Sequence, residues 1–83
     1  ISPQLEQIME DRKIYQHAAG ERQVFVTDSG EKYTASVAAP IISEGDVLGL
    51  VLFVEDGEPL VTGETEYKLA QTIAAFLGKH MES

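Results

Sequence analysis

The stretch Ala39-Pro40-Ile41-Ile42-Ser43-Glu44-Gly45-Asp46-Val47-Leu48-Gly49-Leu50-Val51-Leu52-Phe53-Val54 constrains the fold most. It holds a turn signal followed by eight residues without a polar side chain. Glu44-Gly45 is a two-residue hairpin loop, and such loops need positive φ, which glycine supplies without steric cost. An apolar run of this length, rich in β-branched residues and bounded by turns, predicts a strand over 47–54 buried on both faces. The competing reading, a buried helix segment, is disfavoured by the shortness of the run and by Gly49.

The other elements are read as packed around this hairpin. Ser2-Pro3 is a helix start, because serine caps and proline is tolerated at the first helical position. Leu5, Ile8 and Met9 then recur at helical spacing, which predicts a helix over 3–13. Residues 14–17 are ambiguous and 18–21 read as loop. Gln23-Val24-Phe25-Val26-Thr27 predicts a strand, followed by turn chemistry in Asp28-Ser29-Gly30-Glu31.

A long strand is expected over 32–42. Its period of two puts Tyr33, Ala35, Val37, Ala39 and Ile41 on one face. Pro40 cannot donate to a ladder and belongs at an edge, a bulge or a strand end. Thr62-Gly63-Glu64-Thr65 reads as a capping sequence, with Thr62 as the cap, before a last helix over 63–81. Leu69, Ile73, Phe76 and Leu77 form its apolar stripe, expected to lie in a core. Ala70, Ala74 and Ala75 are small flanks.

The expected fold is therefore α+β, an antiparallel sheet of three strands flanked by an N-terminal and a C-terminal helix. One sheet face lacks a cover if both helices share a face. A second subunit or a segment outside the chain would then supply it.

The chain has 83 residues, enough for one small domain, and no cysteine, so disulfides and thiolate metal sites are excluded. Oligomerisation is the remaining way to stabilise so small a core. Absence of cysteine fits a reducing compartment, and a cytoplasmic location is expected. Six lysines and arginines against fourteen acids give a net charge of −8. That is a poor endowment for binding nucleic acid or an anionic membrane directly. No apolar run approaches the roughly 20 residues of a membrane-spanning helix. The first ten residues show no secretory signal pattern. The first residue is isoleucine, which suggests a fragment or a processed chain; an intact mass of the source protein tests this.

No catalytic constellation is found, and an enzyme is not expected. His80 at a helix end is a surface residue favoured by the helix dipole. His17 has Glu21 four residues on, but no third metal ligand is evident. Ser36 and Ser43 lack a base, Gly45 and Gly49 do not form a phosphate loop, and Glu55-Asp56 reads as a solvated acidic loop. No metal or cofactor is expected. Two surfaces remain: the helix stripe of Leu69, Ile73, Phe76 and Leu77 as a dimer interface, and the face of Tyr33, Ala35, Val37 and Ala39 as a small-molecule pocket.

Ala39-Pro40-Ile41, Gly45-Asp46 and the apolar-glycine-apolar strand Leu48-Gly49-Leu50-Val51-Leu52-Phe53 resemble the late-strand pattern of GAF domains. More specifically, the chain resembles the C-terminal region of the stage V sporulation protein T family, transcription regulators of endospore-forming bacteria. The resemblance is carried by Ile1-Ser2, Leu5-Glu6, Met9, Asp11-Arg12, Tyr33-Thr34, Gly45-Asp46, Gly49, Gly63-Glu64, Glu66-Tyr67-Lys68, Ala74-Ala75-Phe76-Leu77 and Met81-Glu82. It spans nearly all 83 residues. It departs at Glu58-Pro59-Leu60-Val61, where the loop before the last helix is longer.

The resemblance implies the later part of a GAF-like regulatory domain whose first helix and strands would precede Ile1. It further implies a homo-oligomer, with DNA reached only through a separate N-terminal domain of AbrB type. It also implies sensing of an unidentified signal. The alternative is a stand-alone small-molecule-binding GAF sensor.

Overall fold

The computed structural model describes residues 1–30 and 32–82. Glu31, the end of the expected 28–31 turn, lies outside the described residues. The elements run α1 (Pro3–Asp11), β1 (Tyr15–Gln16), β2 (Tyr33–Ser43), β3 (Asp46–Asp56) and α2 (Glu64–His80). The three strands form one antiparallel sheet in the order β1-β2-β3.

The hairpin is as its sequence predicts. Ser43 pairs with Asp46 across Glu44 and Gly45, whose φ values are 53° and 86°. Two positive φ angles are what a type I′ turn requires. Arg12, itself at φ 56°, ends α1 and reaches this turn, its Nη2 donating to Gly45 O at 2.9 Å. Helix α1 therefore stops at Asp11 rather than at 13. Its start is capped by Ser2 Oγ, which accepts from Leu5 N at 3.1 Å.

Three expectations are corrected. First, 23–27 is not a continuous strand. Phe25 makes an isolated bridge to Thr34, and the third strand of the sheet is the dipeptide Tyr15–Gln16, paired with Ala38 and Val37. Tertiary pairing overrides local propensity here.

Second, the residues of β2 do not share one face as counted. The register slips between Ala35 and Val37, a bulge that inserts one residue and inverts the alternation. Ala35 packs with Leu5, Val24 and Ala38, beside Ile8 of α1. Val37, Ala39 and Ile41 pack on the other face with Ala70 and Ala74 of α2. The two helices thus cover opposite faces, and the face expected to be bare is covered by α1 and Val24.

Third, the 47–54 run is not buried. β3 is an edge strand along its whole length, with Leu48 and Val54 exposed and Leu50 to Phe53 half-buried.

Pro40 takes an edge position within the central strand. His17 N donates to Ser36 O at 2.9 Å on the side away from β3. Alternation along the ladder then turns the main-chain groups of Ala38, Pro40 and Ile42 the same way. The missing N–H of Pro40 therefore falls on the side of β2 that faces β1, at a position beyond the end of that two-residue strand, and no bond to β3 is lost.

Candidate functional site: the outer face of the C-terminal helix

The N-cap of helix α2 is Gly63, not Thr62. Gly63 N donates to Glu66 Oε1 at 2.9 Å, and the first turn carries Glu64 and Glu66. Thr62 is held instead by Gln16, whose Nε2 donates to Thr62 Oγ1 at 2.8 Å and Gly63 O at 2.9 Å. A side chain of the short strand β1 thereby fixes the start of α2 over the sheet. Lys68 pairs with Glu64 at 2.9 Å one turn on, a solvent-exposed pair.

The face that α2 turns to the sheet is Ala70, Ala74 and Gly78, all buried. The approach is close enough that a Cβ on Gly78 would overlap Ile42 O and stand 3.1 Å from its carbonyl carbon. Small residues at every fourth position produce this fit, since only they let helix and strand backbones come together.

The stripe expected in the core faces outward instead. Leu69 is 49% exposed, Ile73 36% and Phe76 66%, while Leu77 alone is half-buried against Val37, Ala39 and Ile41. At 100° per residue the centres of the two stripes lie about 120° apart on the helix. The ring of His80 stacks on Phe76, centroids 5.7 Å apart and 12° from parallel. Leu60, Val61 and Met81 add exposed apolar surface beyond the two helix ends.

The expected pocket residues do not converge. Tyr33 is exposed at the start of β2, its ring under Lys32 Nζ at 5.1 Å from the centroid. Ala35 and Val37 are fully buried, in opposite clusters. A surface groove runs beside α2, lined by Ile14, Pro40, Ile42, Gln71, Ala75 and Lys79, at the unpaired end of the β2 edge.

The polar groups considered for chemistry have structural partners. Tyr15 Oη meets His17 Nδ1 at 3.1 Å, and Glu21 Oε1 accepts from Ala18 N at 3.0 Å. Burial, and then the charge of Glu21, pushes the Tyr15 hydroxyl above its ordinary pKa. Ser36 Oγ donates to Phe53 O at 3.1 Å and Thr34 Oγ1 to Gly57 O at 2.7 Å. Among the described residues, no three His, Asp or Glu side chains gather at metal-binding distance, and no helix is long and apolar enough to cross a membrane.

The Gly78 contact and the Gln16 clamp went unread in the sequence. The first had a signal in the four-residue spacing of 70, 74 and 78. The second had none, because it spans 46 residues.

No solved structure matches the chain. Stage V sporulation protein T of Bacillus subtilis (strain 168) is 29% identical over 82 residues, which are 99% of this chain and 45% of that protein. The chain thus spans less than half the length of this curated relative. The family model described as "Stage V sporulation protein T C-terminal, transcription factor" matches residues 1–82, and the chain belongs to that family.

Proposed function

We propose that this chain is a non-catalytic regulatory and assembly module of a sporulation transcription regulator, built as the later part of a GAF-like domain and working in the cytoplasm. The carrying observation is the outward stripe of Leu69, Ile73 and Phe76 on a helix whose inner face is already satisfied by Ala70, Ala74 and Gly78. Large apolar side chains aligned on a solvent face mark an interaction surface. In this reading α2 joins copies of the chain, and DNA is bound by a separate domain.

The free edge of β3, eleven residues long and apolar from Val47 to Val54, supports the GAF-like reading. Such an edge is a template for a further strand. An effector would act by binding two arrangements of the assembled copies with different affinity. A small-molecule pocket over β2 has less support, because Ala35 and Val37 are covered from opposite sides.

Phe76→Asp tests the assembly reading. Its side chain is exposed, so the variant keeps its circular dichroism and loses self-association in light scattering. A variant that associates as before removes α2 from the interface.

A further inference from the structure

Strand β1 is two residues long, yet the segment around it holds something on each face of the sheet. Its side chains alternate as an extended chain requires. Ile14 packs on the α2 side with Val37, Ala39 and Ile41. Tyr15 packs on the α1 side with Leu5, Val24, Ala35 and Ala38. Gln16 returns to the α2 side, its Nε2 at 3.1 Å from Thr62 O, 2.8 Å from Thr62 Oγ1 and 2.9 Å from Gly63 O. His17 is buried, with Nδ1 at Tyr15 Oη.

The start of α2 has little else to hold it. Gly63 offers no capping side chain, and no residue from Glu64 to Leu69 is buried; burial begins at Ala70. Among the described residues, Gln16 is the one side chain outside α2 that hydrogen-bonds its start. The segment that carries Gln16 is itself lightly fixed. Residues 11–13 before it and 18–22 after it are exposed, and beyond the two paired residues its ladder adds His17 N to Ser36 O. A short segment with few buried contacts opens at a lower free energy than the whole fold.

We propose that Ile14–His17 is a latch that leaves β2 as a unit, freeing the start of α2 on one face and uncovering Ala38 on the other in the same step. The sheet separates the two faces, and this segment is where their coverings are joined. A ligand that binds the face vacated by the Tyr15 ring shifts the population toward the open latch and loosens α2 without touching it. By linkage, anything that holds the start of α2 in place keeps Tyr15 seated. The latch goes beyond the assembly reading and stands without it, because it operates within one copy of the chain.

Amide hydrogen exchange followed by NMR tests this, at two protein concentrations so that association is read separately. Gln16→Met keeps the length of the side chain and removes its donors. It should speed exchange at Tyr67, Lys68 and Leu69 about tenfold, and at His17 likewise, while amides of residues 74–78 and of the β2–β3 ladder stay as they were. Tyr15→Leu, on the opposite face, should speed the same three α2 amides by a similar factor. Tyr15→Phe keeps the ring, removes only the bond to His17 Nδ1, and should give about a threefold effect in the same places. If Gln16→Met speeds the α2 amides but not His17, the clamp is local and the latch is overturned. The same holds if the Tyr15 variants speed His17 and leave 67–69 unchanged. Uniform acceleration along the whole chain also overturns it, since that reports global stability alone.

Discussion

Gly78→Ala tests whether the close approach of α2 to β2 is what seats the helix. Two effects of opposite sign compete. In a helix interior, alanine is favoured over glycine by about 1 kcal/mol. Against this, the new Cβ would overlap Ile42 O and lie 3.1 Å from Ile42 C and 3.5 Å from Ile42 N. These are backbone atoms of a strand paired to β3, so they cannot rotate away as a side-chain end would. The helix must withdraw by something like an ångström, and Ala70, Ala74 and Leu77 lose part of their contact with Val37, Ala39 and Ile41.

Overpacking of this kind costs about 1–3 kcal/mol, and more where the neighbour is rigid. A rigid backbone neighbour puts the gross cost at about 2–4 kcal/mol, so the net loss after the propensity gain is about 1–3 kcal/mol. A domain of this size loses roughly 4–8 °C per kcal/mol, which gives a fall in Tm of about 5–20 °C. Thermal melts by circular dichroism measure it, at one fixed protein concentration because association would raise Tm with concentration. Gln71→Gly, on the exposed side of the same helix, calibrates the propensity term and should cost about 1 kcal/mol. An unchanged or higher Tm for Gly78→Ala would refute the close seating.

Gly45→Val puts a β-branched residue at φ 86° in the hairpin turn and should destabilise by about 1–2 kcal/mol in urea unfolding; an unchanged midpoint would show that the turn tolerates another geometry. The raised pKa of Tyr15, due first to burial and then to Glu21, has a definite sign. Folding favours the neutral phenol, so its contribution is complete below the unfolded value of about 10 and is lost as pH rises through the folded value. Ultraviolet titration should therefore show one of the three tyrosines ionising late, and Tyr15→Phe should remove that component while leaving the others in place.

The Glu44-Gly45 turn, β2 and the last helix were legible because their signals are local: two turn residues, a β-branched run, a helical period. The fold class follows from them. Strand β1 was not legible, since two residues hold no period and Tyr15–Gln16 is extended only because Ala38 and Val37 pair with it. Residues 23–27 carry the composition of a strand, yet Gln4 intervenes. Its amide accepts from Phe25 N at 3.0 Å and donates to Gln23 O at 2.8 Å, tying one side of that segment to α1, while its other side keeps only the single bridge to β2 at Thr34.

The bulge between Ala35 and Val37 leaves no mark in Ala35-Ser36-Val37, and one unmarked insertion is enough to move a proposed pocket face to two sides of the sheet. In α2 the period was read correctly and the inner face wrongly. Hydropathy assigns Leu69, Ile73 and Phe76 inward, whereas the closeness of the strand selects Ala70, Ala74 and Gly78.

This inversion bears on how tightly the copies hold together. The core is made of small side chains: among the described residues, five of the nine buried hydrophobic ones are alanine. Leu69, Ile73 and Phe76 are already partly covered, so complete burial of each adds about 1 kcal/mol, or about 6 kcal/mol for two copies. Association costs 4 kcal/mol or more in lost freedom. The stripe alone therefore sustains no better than a millimolar dimer. Recruiting Leu60, Val61 and Met81, which are 57%, 62% and 52% exposed, about doubles the gain and brings dissociation into the range from micromolar to millimolar. Light scattering across that range should accordingly show a concentration-dependent mass. A dimer that persists at nanomolar concentration would need more surface than α2 and its flanks provide. The long free edge of β3 would then have to be part of the contact.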